Sequence, residues 1–226
     1  MDRAELGKRA ASGTIKFIIA LAILVIPLAG LTVWTPWLFW AHFSLWSALL
    51  TWYFYIVDPA LLERRLRGGP TAETEPAQKR IQLAISIVMI ATILIAALDC
   101  RFAWSTAPRA AIILGHIFIA IGFLAVTYVL RANTFAAATI GVAENQTVIS
   151  TGPYAIVRHP MYAVATPIFL GIPLALGSWW ALLLAPFVIW LLAARLLDEE
   201  AYLVRNLPGY QDYREKVRFR LAPGLW

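Results

Sequence analysis

The chain has 226 residues, 61% of them apolar and 14% charged, with a mean hydropathy of +0.71; this balance excludes an ordinary water-soluble domain and makes a bilayer the main solvent. A net charge of +6 and a pI near 9.7 would suit nucleic acid, but the same basic residues meet the positive-inside rule described below, which accounts for them without it. The single cysteine, Cys100, excludes an intrachain disulfide framework.

In chain order, Ile15 to Trp34, Trp37 to Val57, Ile81 to Leu98 and Ala110 to Leu130 are each long and apolar enough to cross roughly 30 Å of hydrocarbon as a helix. The first run is longer than a signal-peptide core and lacks a small-residue cleavage site, so it reads as a retained anchor. Thr35 and Pro36 join the first two helices as an antiparallel pair, and Gly68-Gly69-Pro70 through Pro76 reads as a flexible polar loop. Gly115 and Gly122 share one face of the fourth helix and predict close helix packing. His42 and His116 lie within spans and Cys100 near a helix end; each is open to a functional role or to service as a hydrogen-bonded or apolar packing residue.

Two further apolar segments, Met161 to Leu176 and Trp180 to Leu196, are separated by Gly177 and Ser178 and predict a helical hairpin joined by a two-residue turn. Pro167, Pro173 and Pro186 inside them invite kinks. The expected fold class is therefore all-α: a polytopic membrane bundle of about six transmembrane or membrane-embedded helices. Residues 1–130 form four spans, and residues 131–226 form a cofactor-binding region of loop, hairpin and C-terminal tail. With this topology every Lys and Arg except Arg101 and Arg109 falls on one side, which orients both termini toward the cytoplasm. The alanine-rich composition suits a bacterial inner membrane.

Polarity gathers in the last third. The stretch Arg131 to Pro160 is long for a loop and too apolar for disorder. It ends in Gly152-Pro153, a turn signal, and then Arg158-His159-Pro160-Met161-Tyr162, where Pro160 suits a first helical turn. Free N–H groups and the positive dipole end at that helix start would attract a carboxylate. The sixth helix leaves the bilayer through Arg195, Asp198, Glu199 and Glu200; both Asp198 and Glu199 are spaced to reach Arg195 along one face. A hairpin turn brings these two ends side by side. A zwitterion bearing amine, carboxylate, ribose and sulfonium would find partners there. A solvated helix end is the plainer alternative. The three histidines are scattered and no His or Cys pair has metal-ligand spacing, so no metal is expected.

At these residues the sequence resembles the isoprenylcysteine carboxyl methyltransferase and phospholipid methyltransferase group of membrane enzymes. The likeness rests on Gly152-Pro153-Tyr154, Arg158-His159-Pro160 with Tyr162, Glu199-Glu200 with Leu203, then Tyr210, Tyr213 and Pro223, with Asn133-Thr134-Phe135 upstream. An ordered set of motifs is more specific than any one of them. The resemblance implies an S-adenosyl-L-methionine pocket and a lipophilic small-molecule or lipidated acceptor drawn from the membrane lipids. Val164 departs from the glycine many members carry there and is expected to reshape the pocket wall.

By that analogy and by charge, Tyr154, Val157, His159, Tyr162, Arg195, Glu199 and Glu200 are the cofactor-binding candidates. Arg158 and Arg131 are candidates for positioning, and Asn133 and Arg131 for the substrate. For His159 helix capping is the alternative, and for Arg158 and Arg131 anchoring beside headgroups. Tyr210, Tyr213 and Trp226 are expected to seal the tail over the pocket. Carboxylate, amine and thiol acceptors all remain open. Two rivals stand beside this reading: a nicotinamide-dependent membrane reductase of sterol-reductase type, and a non-enzymatic membrane protein that retains the fold.

Overall fold

Each long apolar run folds into a long helix whose ends are set by local chemistry. The computed structural model describes residues 1–69, 71–143, 145–224 and 226; Pro70, part of the polar turn expected from sequence, lies outside them. Among the described residues there is no strand. Helix α1 (Arg3–Ala29) begins where Asp2 accepts a hydrogen bond from Glu5 N at 2.7 Å, and α2 (Trp34–Val57) follows after a short turn. Helices α4 (Pro76–Phe102) and α5 (Arg109–Ala132) complete the first four long helices. A 3-10 turn at Gly152–Ala155 leads into α6 (Pro160–Ala175). Short α7 (Trp179–Leu182) and long α8 (Ala185–Asn206) precede the tail helix α9 (Tyr210–Lys216).

Among the described residues, four segments are long and apolar enough to cross a membrane: α1, α4, α5 and the run Trp179–Asn206 of α7 and α8. The chain is a polytopic helical membrane bundle. Outward-facing Ile23, Ile87, Ile113 and Leu124 are exposed on these helices, as lipid-facing side chains are. Helix α2 is long enough as well, at 24 residues, although its tryptophans, tyrosines and hydroxyl residues lower its hydropathy below that of these four. The sixth segment runs on as a helix beyond Leu196 to Asn206.

Two further expectations change, and one helix was not expected. The polar loop expected from Gly68 to Pro76 is preceded, in the connection between α2 and α4, by a short helix. Asp58 caps that helix, α3 (Pro59–Leu66), by accepting from Leu61 N at 2.9 Å, with Pro59 in its first turn. Pro186 does not kink a continuous helix; the chain breaks at Leu183 and Leu184, and Pro186 takes a place in the first turn of α8, where its missing donor costs nothing. The hairpin turn is three residues, Leu176 to Ser178, with Gly177 at φ +77°.

Buried polar groups fix that turn against its neighbours. The Asp99 carboxylate, buried at the end of α4, accepts from Ser105 N and Ser105 Oγ, both at 2.6 Å, and from Ser178 Oγ at 2.5 Å. Cys100 packs beside it, its Sγ donating to Leu176 O at 2.9 Å. Helices α5 and α6 approach so closely that a Cβ on Gly115 would lie 2.3 Å from Ala175 N, and one on Gly122 would lie 2.3 Å from Ile168 Cγ1. In α2, Trp46 Nε1 donates to His42 Nε2 at 2.8 Å, so the His42 proton sits on Nδ1 and points to His116 Nδ1 of α5 at 3.0 Å. The glycine contacts and the Cys100 and Asp99 hydrogen bonds seat α6 against α5 and α4, and so set where its N-terminal end emerges.

Candidate functional site

The start of α6 and the end of α8 lie side by side, and a third element closes over both. Arg158 is buried and donates from Nε to Glu200 Oε1 at 2.6 Å and from Nη1 to the carbonyls of Val217 and Arg218 at 2.7 and 2.8 Å. The backbone N–H groups of Arg158 and His159 donate to Phe219 O and Arg220 O, each at 2.9 Å. Arg220 Nε donates to the other Glu200 oxygen at 2.9 Å. The tail thus takes the N–H groups of Arg158 and His159, just ahead of the first turn of α6, as buried backbone donors require. Arg158 is a clamp on the tail and not a headgroup anchor, and Glu200 is fully engaged between two guanidiniums.

Tyr210 and Tyr213 of α9 are buried with Leu207 in an apolar cluster that also takes Tyr154, Val148 and Leu203. Tyr213 OH donates to Tyr154 O at 2.7 Å, and Tyr210 OH lies 3.4 Å from His159 Nε2. Burial pushes the Tyr154, Tyr210 and Tyr213 phenols above the ordinary tyrosine range, with the Glu200 and Glu199 charges adding to the effect on Tyr210. All three stay protonated at physiological pH. Trp226 does not join this seal; its ring stacks 5.2 Å beneath the Arg220 guanidinium.

Beneath the tail lies a cavity of about 230 Å³, room for one small molecule and not for a folded partner. Tyr162 and Glu199 meet in its wall, the phenol donating to Glu199 Oε2 at 2.5 Å. Glu199 Oε1 has no partner among the described residues. Arg195 is buried and donates from Nη2 to Glu73 Oε1 at 2.5 Å and to Ala138 O at 3.3 Å, while its buried Nη1 has no partner among the described residues. The pairing expected from spacing, Arg195 with Asp198 or Glu199, gives way to this one. Asp198 instead accepts from Gln78 Nε2, and Glu199 is held by Tyr162.

Of the residues singled out from sequence, Asn133, Tyr154, Arg158, His159, Tyr162, Arg195 and Glu199 line the cavity, Asn133 donating to Tyr154 OH at 3.2 Å. Val157 and Glu200 are buried but do not line it. Arg131 ends α5 exposed and apart from the cavity, at a helix C-terminus where a cation is favoured. His159 occupies the N-cap position of α6, yet its side chain makes no capping bond. Val164 packs into the apolar cluster of Leu6, Leu61 and Leu130 and leaves the cavity wall alone, so the glycine-to-valine departure does not reshape the pocket.

Two residues of the cavity region were missed. Glu73, with a fully buried carboxylate, also accepts from Ile140 N at 3.1 Å. Arg65 of α3 lines the cavity and donates from Nη1 to Ala137 O at 3.3 Å. Their spacing gave no signal, since both come from a segment more than sixty residues away from the carbonyls and amides they hold. Glu73 and Glu75 stand two apart in the same polar linker, and nothing local tells them apart.

Comparison with known proteins bears on this half of the chain. Residues 110–208 match the phospholipid methyltransferase family. A protein-S-isoprenylcysteine O-methyltransferase of Schizosaccharomyces pombe is 32% identical over 108 residues, which cover 43% of this chain and 46% of the relative. The chain therefore aligns with a little under half of that relative's length. The likeness drawn from the Arg158-His159-Pro160 and Glu199-Glu200 motifs stands on these matches as well.

Proposed function

From the likeness of residues 110–208 to the phospholipid methyltransferase family, we propose that this chain is an integral membrane methyltransferase using S-adenosyl-L-methionine on a lipophilic acceptor at the cytoplasmic face. The observation that carries the reading is the buried Arg195 Nη1, without a partner among the described residues, on a side chain that lines the same cavity as the half-engaged Glu199 carboxylate. One is a donor awaiting an anion and the other an acceptor awaiting a cation or hydroxyl, which fits the two ends of an amino acid.

Arg195 would take the amino-acid carboxylate, and Glu199 Oε1 the ammonium or a ribose hydroxyl. Tyr162 holds Glu199 in place. His159 and Tyr154 complete the wall, and Tyr210 and Tyr213 close it with the tail. The cofactor, when bound, supplies an electrophilic methyl group on a sulfonium. The protein's own work is to align donor and acceptor and to keep water out, and no side-chain nucleophile is required. Val157 and Glu200 act from behind the wall, Glu200 by fixing Arg158 and the tail.

The acceptor is lipophilic in this reading because the cavity lies at the end of helices whose outer faces are apolar. A carboxylate or thiolate would attack as the anion and an amine as the neutral base. The cytoplasmic assignment follows from the basic loops that share the cavity's side. Calorimetry on detergent-purified protein with S-adenosylhomocysteine and NADPH tests the cofactor. Binding of the adenosyl ligand alone is expected; binding of NADPH alone would replace this reading with the reductase.

A further inference from the structure

The cavity is lined by three arginines, and two of them have a buried acid as partner. Arg158 pairs with Glu200 and Arg195 with Glu73. Arg65 has no carboxylate within ion-pairing distance among the described residues; its one hydrogen bond is from Nη1 to Ala137 O. The next carbonyl along, Ala138 O, accepts from Arg195 Nη2, so the two guanidiniums hold consecutive carbonyls of the same segment. That segment, 134–138, is further tied to α3 by Arg64, which donates to Thr134 O. Gly68 also packs there, where a Cβ would lie 2.7 Å from the Ala138 methyl. Arg65 is therefore held in position by its surroundings, with most of its guanidinium donors uncommitted.

A half-buried guanidinium that lines a cavity with no counterion among the described residues is costly to keep, and burial pushes the Arg65 pKa below the ordinary arginine range. An anion in the cavity offsets that cost, and a planar fork of donors suits a carboxylate best. We propose that Arg65 is a carboxylate-binding residue of this cavity, contributed by α3 from outside the family-matched segment. The proposal rests on the methyltransferase reading. Its carboxylate comes from one of two sources, the amino-acid end of the adenosyl donor or an acid group on the membrane-borne acceptor.

The test uses full-length wild type, Arg65→Gln and Arg65→Lys in detergent. Calorimetry is run with S-adenosylhomocysteine, with 5′-methylthioadenosine, which lacks the amino-acid end, and with N-acetyl-S-farnesylcysteine and its methyl ester. A tenfold or greater loss in Arg65→Gln for S-adenosylhomocysteine, with 5′-methylthioadenosine unchanged, assigns Arg65 to the donor carboxylate. An equal loss for the farnesyl acid but not its ester, with S-adenosylhomocysteine unchanged, assigns it to the acceptor. Arg65→Lys keeps the charge but not the fork, and is expected to lose part of the same selectivity; it carries the test if the glutamine variant does not fold. Variants that show no carboxylate-selective change with either ligand pair overturn the proposal. Failure of the wild type to bind any adenosyl ligand overturns the methyltransferase reading instead.

Discussion

Glu73 and Arg195 stand 122 positions apart in the chain and meet at 2.5 Å behind the cavity wall. The carboxylate takes Arg195 Nη2 on one oxygen and Ile140 N on the other, which leaves Nη1 directed elsewhere with no partner among the described residues. Glu73 is thus a positioning residue for the guanidinium proposed to hold the cofactor's carboxylate. Glu73→Gln keeps the shape and removes the charge. Its expected effect is about a tenfold weaker affinity for S-adenosylhomocysteine, corresponding to one charge-assisted hydrogen bond. Affinity for 5′-methylthioadenosine should hold, which a general loosening of the fold would not allow. Equal losses for both ligands would show that Glu73 serves only stability.

Glu199 and Glu200 are neighbours in sequence with opposite assignments. Glu200 is buried between Arg158 and Arg220, so Glu200→Ala leaves buried charge uncompensated, at a cost of about 3–5 kcal/mol. The thermal midpoint in detergent should drop by several degrees, and trypsin should cut the released tail at Arg214, Lys216 or Arg218. Glu199→Gln should leave midpoint and proteolysis near wild type while weakening adenosyl-ligand binding about tenfold. A tail that stays protected in Glu200→Ala would contradict the clamp.

The tyrosines of the tail set an alkaline limit. Tyr154, Tyr210 and Tyr213 have phenols raised above the usual value of about 10. The folded state binds these protons more tightly than the unfolded chain, so their contribution is complete below pH about 10 and is lost as pH rises toward the folded values. The thermal midpoint should therefore fall steeply above pH about 10. Tyr213→Phe, which removes the bond to Tyr154 O, should lower the midpoint at neutral pH and make that fall shallower. The same steepness in Tyr213→Phe would assign the alkaline loss to other groups.

Topology has its own readout. Thr71 is exposed in the segment between α3 and α4, on the same side as the cavity. In a Cys100→Ala background, Thr71→Cys should be shielded from a membrane-impermeant thiol reagent in intact cells and react after lysis. Reaction in intact cells would place the cavity on the outer face and exclude a cytoplasmic cofactor supply.

Much of this fold was legible because hydropathy and turn chemistry are local. The positions of the long helices, the Pro160 helix start, the Gly177 turn and the close approach at Gly115 and Gly122 all follow from residues within a few positions of each other. The convergence of Arg158, His159 and Tyr162 with Arg195 and Glu199 was legible too, because a short hairpin turn leaves little choice. What spacing could not give was which acid pairs with which base. Arg195 is three and four residues from Asp198 and Glu199, yet takes Glu73; the helix-surface rule gives a few tenths of a kcal/mol, while a buried carboxylate with a backbone amide as second donor offers far more. Arg158 likewise turned inward because the tail's carbonyls, some sixty residues on, needed donors. The break before Pro186 was missed because Leu184 offers no capping side chain to mark it, whereas Asp58-Pro59 was a local start signal for α3 that hydropathy alone passed over.

Methyl transfer to a membrane-borne acceptor can be followed with labelled donor. Purified wild-type protein in lipid nanodiscs is given S-adenosyl-L-methionine labelled in its methyl group, with a membrane lipid extract and N-acetyl-S-farnesylcysteine as acceptors, beside Glu199→Gln as control. Label is expected in the organic phase, dependent on the protein and about tenfold slower in the control at limiting donor. No label in any lipophilic product from a folded protein that binds S-adenosylhomocysteine, or label confined to water-soluble products, would contradict it.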